Sequence, residues 1–89
     1  MEHYQNLSGR SFVRTYQTTA NSITIKFGDG SIYIYTDKST SAENIAEMQR
    51  LAKLGLGLNT FISRVVKKGY AEKNTMKNKI FGKQENSIN

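Results

Sequence analysis

Ile23-Thr24-Ile25-Lys26-Phe27-Gly28-Asp29-Gly30-Ser31-Ile32-Tyr33-Ile34-Tyr35 is the stretch whose reading decides the fold. Ile23 to Phe27 alternates apolar and polar residues with period two. Ile32 to Tyr35 is β-branched and aromatic, and a glycine-rich turn divides the two runs, which is the pattern of a β-hairpin. The turn admits two registers. With Asp29-Gly30 as a two-residue turn, Phe27 faces Ile32 and Ile25 faces Ile34, so Tyr33 and Tyr35 share a face with Thr24 and Lys26. With Gly28-Asp29-Gly30 as a loop and Gly30 left-handed, Phe27 pairs with Ser31 and Ile25 with Tyr33. The tyrosines then join Ile23, Ile25 and Phe27 in the core. A one-residue slip exchanges the two faces, and Ile32 to Tyr35, apolar on both sides, does not choose between them.

Upstream, Ser11-Phe12-Val13-Arg14-Thr15-Tyr16 reads as a further strand, with Gln17 to Asn21 as its turn. Downstream, Thr40-Ser41-Ala42-Glu43 has capping-box spacing, with Thr40 as the N-cap. Ile45, Met48, Leu51 and Ala52 then fall on one helical stripe, and Gly55 is a natural stop. Leu56-Gly57-Leu58 bridges to a second helix with Asn59 as its cap and Phe61, Ile62, Val65 and Val66 as its apolar face. Gly69 ends that helix, and Tyr70 is placed to fold back onto the core. The expected fold class is α+β: a three-stranded antiparallel β-meander followed by two helices packed on one face. Residues 1–10 read as an N-terminal arm, 11–70 as the domain, and 71–89 as a basic tail whose Lys, Asn, Gln and Ser content predicts disorder.

The chain has 89 residues, no cysteine and a formal net charge of +6. One small domain fits that length, and neither disulfides nor thiolate zinc sites can reinforce it. The lone histidine, His3, has no partner cluster, so no metal and no cofactor is expected. No apolar run approaches the roughly 18 residues of a membrane span, and Met1 to Arg10 lacks the apolar segment of a signal peptide. A cytoplasmic protein with no membrane partner is the expectation. Residues 1–60 hold six basic and five acidic side chains, whereas 61–89 hold seven and two. The excess positive charge therefore sits on the last helix and the tail, where it attracts polyanions.

Catalysis needs convergent nucleophiles and bases, and no such set is visible. Glu43 and Glu47 read as a solvated helix face, and Asp29 as a turn residue. Gly55-Leu56-Gly57 is only a fragment of a phosphate loop and follows a helix, which makes it an interhelical turn. Asn59 and Thr60, opening the next helix, are placed to hold one phosphate at most. An enzyme with a small-molecule substrate is not expected. Tyr33 and Tyr35 are the most informative pair. Two aromatics at i and i+2 with Lys26 across, and Arg14 or Tyr16 on the first strand, suit single-stranded nucleic acid, since rings stack bases and cations hold phosphates. The ordinary alternative is that both tyrosines are sheet core.

The ordered series Ile23-Thr24-Ile25-Lys26-Phe27, Gly30, Tyr33-Ile34-Tyr35, a helix, Gly55 and then Asn59 resembles the KTSC domain, a module named for the C-terminus of some lysyl-tRNA synthetases. The resemblance covers Ser8 to Tyr70. It implies a compact sheet-plus-helix domain without known catalytic residues, for which RNA binding has been suggested from the synthetase context. The family motif falls on Phe27, Gly30, Tyr33, Tyr35, Gly55 and Asn59. Two departures stand out: Thr36-Asp37-Lys38-Ser39-Thr40 replaces a Val-Pro step, and Leu56-Gly57-Leu58-Asn59 replaces a single glycine before an aromatic-Asn pair. The resemblance leans toward the tyrosines in the core, because the pattern keeps its aromatics there and varies at Ile32 and Ile34.

The function expected from these features is a small non-enzymatic module binding RNA or other single-stranded nucleic acid. Tyr33 and Tyr35 are the candidate stacking residues, and Lys26, Arg64, Lys67, Lys68 and Lys73 the candidate phosphate contacts. The alternative is a protein-interaction or self-association module, such as a homodimer, using Ile32 and Ile34.

Overall fold

In the computed structural model, which describes residues 1–74, Gly30 takes φ 89°. The Gly28-Asp29-Gly30 loop closes with the Phe27 N–H donating to the Ser31 carbonyl at 2.9 Å. Strands β3 (Ser22–Phe27) and β4 (Ile32–Thr36) therefore pair Ile25 with Tyr33 and Ile23 with Tyr35. The second register holds, and the tyrosines lie on the face of the core.

The sheet has five antiparallel strands, not three, in the order β1-β2-β3-β4-β5. Strand β1 is Glu2–His3, β2 is Val13–Thr19 and β5 is Glu72–Asn74. The two additional strands are edges. They are short, polar and exposed, so they leave no period-two apolar signal, and those same properties discourage edge-to-edge association. Glu72 to Asn74, expected within the tail, pair with Ile34 to Ile32. The rest of the expected tail lies outside the described residues. The first strand also runs further than expected. Gln17 to Thr19 continue β2, and only Ala20-Asn21 form the turn. The register shifts by one residue between Val13 and Thr15, a bulge at Arg14. Val13 and Tyr16, three apart, thereby both face the core.

Helix α1 (Ala42–Leu54) packs on β3 and β4. Its N-cap is Ser41, one residue later than expected, with Oγ accepting from the Asn44 N–H at 3.0 Å. Gly55 ends it at φ 81°. Helix α2 (Leu58–Phe61) continues into a π-turn over Ile62–Val66. The cap expected at Asn59 is instead Gly57, whose φ of 86° turns the chain without a side-chain bond. Tyr4 Oη accepts the Leu58 N–H at 3.2 Å. The wider π-turn swings Val65 out to solvent, while Ile62 and Val66 remain buried.

The core gathers Ile23, Ile25 and Tyr35 from the sheet, Met48 from α1 and Leu58 from α2, all fully buried. Each aliphatic among them contributes roughly 1.5–3 kcal/mol by leaving water. Tyr4, expected in a separate arm, is part of this core. Its segment is tied down by the Tyr4 N–H to the Arg14 carbonyl and by the Leu7 N–H to the Gly55 carbonyl. The opposite face of the sheet carries Thr24, Lys26, Ile32 and Ile34, none of them buried.

The docked N-terminal segment makes a differential prediction at two glycines. Gly55 and Gly57 both have positive φ, so alanine costs each about 1–2 kcal/mol. A Cβ at Gly55 would also meet Gln5 Cβ at 2.7 Å, whereas at Gly57 the nearest atom is 3.6 Å away. Urea denaturation should show Gly55→Ala to be the more destabilising. Equal midpoints would mean that Gln5 is not packed against the end of α1.

Candidate nucleic-acid interface

Beyond the end of α2 the chain reverses sharply to enter β5, and this reversal builds the site. The Lys67 N–H closes the π-turn on the Ile62 carbonyl at 2.6 Å. Lys67 itself sits at φ 48° and ψ −115°, a conformation that costs a non-glycine residue about 1–3 kcal/mol. The Gly69 N–H then bonds the Val66 carbonyl, and Ser39 Oγ donates to the Gly69 carbonyl at 2.7 Å. A Cβ at Gly69 would be crowded, 3.0 Å from the Val66 carbonyl oxygen and 3.3 Å from Thr40 Cβ.

Tyr70 is thereby laid over the tyrosines of β4. Its ring meets Tyr33 edge-on at 5.0 Å between centroids and Tyr35 at 6.1 Å. Phe27 and Tyr33 also meet at a steep angle, at 5.0 Å between centroids, and Phe12 stacks on Phe27 at 6.1 Å. Between these rings and the reversal lies an open cavity of about 320 Å³. Lys67, Lys68 and Lys73 line it, with Asp29 as the one carboxylate among the described residues. Lys73 is opposite Tyr33 in the β4–β5 ladder, and its Nζ lies 5.4 Å from the Tyr33 ring centroid, within cation–π reach.

The polar groups are set by their neighbours. Asp29 Oδ1 accepts from the Ser31 hydroxyl at 2.6 Å and the Ser31 N–H at 2.9 Å. The hydroxyl first, then the N–H, hold the Asp29 carboxyl below its usual range, so it stays ionised. The Tyr33 phenol is the main influence raising the pKa of Lys73, with smaller contributions from Tyr70 and Asp29. Burial pushes the Tyr35 hydroxyl well above its ordinary value, and Tyr33 and Tyr70 add to the effect.

Five of the seven residues singled out from the sequence line this cavity: Tyr33, Tyr35, Lys67, Lys68 and Lys73. Lys26 and Arg64 do not. Lys26 is exposed on the other face of the sheet, and Arg64 is exposed on the π-turn. The flat stacking surface built from Tyr33, Tyr35, Lys26 and Tyr16 is therefore corrected. Tyr35 and Tyr16 are buried core, and of the two β4 tyrosines Tyr33 alone keeps partial exposure. What replaces the surface is a concave cradle. Phe12 and Ser31 in its wall carry no signal of a site in the sequence, and Asp29 carries only that of a turn. No local pattern places Phe12 beside Phe27.

No family model, curated protein or solved structure matches the chain. Among the described residues no group of three His, Cys, Asp or Glu is placed to hold a metal ion, and no helix is long and apolar enough to cross a membrane.

The raised pKa of Tyr35 has a consequence for stability. A phenol that ionises later in the folded than in the unfolded chain stabilises the fold fully below its unfolded value of 10.0. That contribution is lost as pH rises from there toward the folded value. Urea denaturation between about pH 9 and 12 should therefore show stability falling with pH, and Tyr35→Phe should flatten the fall. An unchanged slope in the variant would place the alkaline lability elsewhere.

Proposed function

We propose that the protein is a non-enzymatic nucleic-acid-binding module whose cradle takes one unpaired nucleotide of a single strand, most suitably RNA. The observation that carries this reading is the meeting of three lysines with the Tyr33 and Tyr70 rings around one open cavity. Aromatic edges and faces receive a splayed-out base, and the lysines neutralise its flanking phosphates. A duplex, with its bases stacked inside, offers the cradle only phosphates. The strained backbone at Lys67 and the π-turn before it support the reading, since both features concentrate at functional sites. The KTSC resemblance points the same way.

Fluorescence anisotropy with labelled single-stranded RNA, single-stranded DNA and duplex DNA tests it. Three phosphate contacts give an affinity falling with salt at a log–log slope of about −2 for a single strand. Lys73→Gln should reduce that slope by about 0.7. Tyr33→Ala, if its circular dichroism is native, should weaken binding by the ~1–3 kcal/mol of one stacked base. Truncation after Asn74, which keeps β5, controls for the lysines beyond it. If only the truncation weakens binding, the interaction is a charge effect of the last residues and the cradle has no part in it.

A second reading rests on Ile32 and Ile34, half-buried on the sheet face opposite the helices. Self-association through that face would appear as a concentration-dependent mass by light scattering, abolished by Ile34→Lys.

A further inference from the structure

A second cavity, of about 240 Å³, lies where the N-terminal segment crosses the start of α2. Tyr4, Ser8, Arg10, Ser11, Asn59 and Thr60 are among its lining, and no carboxylate of the described residues is. Three of these residues share an arrangement. Tyr4 Oη accepts the Leu58 N–H, Ser8 Oγ accepts the Arg10 N–H, and Ser11 Oγ accepts the Val13 N–H, at 3.1–3.2 Å. Each oxygen has thus spent an acceptor site on a backbone donor, and none of the three hydroxyl protons has an acceptor among the described residues. Tyr4 is buried, and its oxygen is satisfied by the Leu58 N–H while its proton remains free to donate. The Arg10 guanidinium, which supplies only donors, makes no ion pair or hydrogen bond among the described residues.

The segment that presents these groups is ordered by its own bonds. Asn6 takes φ 54°, and its Oδ1 accepts the Ser11 N–H at 2.9 Å. The backbone that carries Ser8, Arg10 and Ser11 is thereby ordered by its own bonds, which lowers part of the ordering cost of binding. Hydroxyls and a guanidinium lining one cavity, with no carboxylate among its described lining residues, suit a tetrahedral oxyanion.

We infer that this cavity is an oxyanion site for a phosphate group, with the Arg10 guanidinium and the Tyr4, Ser8 and Ser11 hydroxyls as its donors. The phosphate is either free or part of a nucleic-acid strand. The strand source rests on the reading proposed above, because Ser11 lines this cavity and the adjoining Phe12 lines the aromatic one. The oxyanion site itself does not depend on that reading.

The test is amide NMR on the full chain, with chloride replaced by inorganic phosphate at constant pH and ionic strength. Saturable shifts are expected at Ser8, Arg10, Ser11 and Thr60, with affinity lowered at least about tenfold by Arg10→Gln. Arg10 is exposed, so that variant should fold normally. Tyr4→Phe should weaken binding as well, with its melting temperature measured because the Leu58 N–H loses its acceptor. Absence of saturable shifts, or shifts that Arg10→Gln leaves unchanged, would overturn the site. A second arm repeats RNA anisotropy with Arg10→Gln. Weaker binding assigns the phosphate to the strand. Unchanged binding assigns the site to free phosphate and overturns the link. If wild-type chain binds no RNA, the nucleic-acid reading fails and the phosphate titration still decides the oxyanion site.

Discussion

Gly30 at φ 89° is the constraint on which the rest of the structure depends. A left-handed residue there lengthens the β3–β4 connection to Gly28-Asp29-Gly30 and places Phe27 opposite Ser31. Because strand side chains alternate, that one choice sends Tyr33 and Tyr35 to the side of the sheet where α1 packs, and Ile32 and Ile34 to the other. The same loop presents Asp29, held by Ser31, at the cradle wall. Register, core and candidate site are thus consequences of one turn.

The domain closes itself from both ends. Its central hairpin is apolar, but three strands and two helices in a chain of 89 residues make a small core with little margin. The N-terminal segment adds a buried ring through Tyr4 and an acceptor for the first N–H of α2. The segment after the π-turn adds Tyr70 and β5. Each addition also walls a cavity: Tyr4 the polar one, Tyr70 and Lys73 the aromatic one. Stability and the proposed recognition therefore draw on the same side chains, so variants at either cavity need a folding measurement beside a binding one.

The parts of this arrangement that repeat with a period were legible in the sequence. The hairpin, the α1 stripe of Ile45, Met48 and Ala52, and the stop at Gly55 all appear where expected. Single contacts across the chain were not. Two residues of β1 and three of β5 are too few to show alternation, so the edges were missed. The bulge at Arg14 breaks the alternation that would have marked the core face of β2. The π-turn breaks helical spacing, which is why Val65 was misplaced. For the site, residue type identified Tyr33, Tyr35 and the lysines, but only the register shows that Lys26 is on the wrong face. Tyr4 and Phe12 lie in polar or unpatterned surroundings, and tertiary structure alone gives them a role.

The register that removes Tyr35 from the surface also makes the recognition reading more specific. An open sheet of stacked tyrosines would accept any exposed base and many flat apolar surfaces. A cradle bounded by edge-on rings, with lysines on one side and an ionised carboxylate in the wall, is more selective. It favours a ligand that combines an aromatic group with negative charge, and Asp29 penalises negative charge brought to its part of the wall. Under the proposed function such a ligand would enter oriented, ring toward Tyr33 and charge toward Lys67, Lys68 and Lys73. Orientation of this kind needs walls that do not yield. The Ser39–Gly69 bond, the tight turn at Gly69 and the closed π-turn hold the reversal in place, and the unfavourable backbone at Lys67 persists because its surroundings leave it no relaxed alternative.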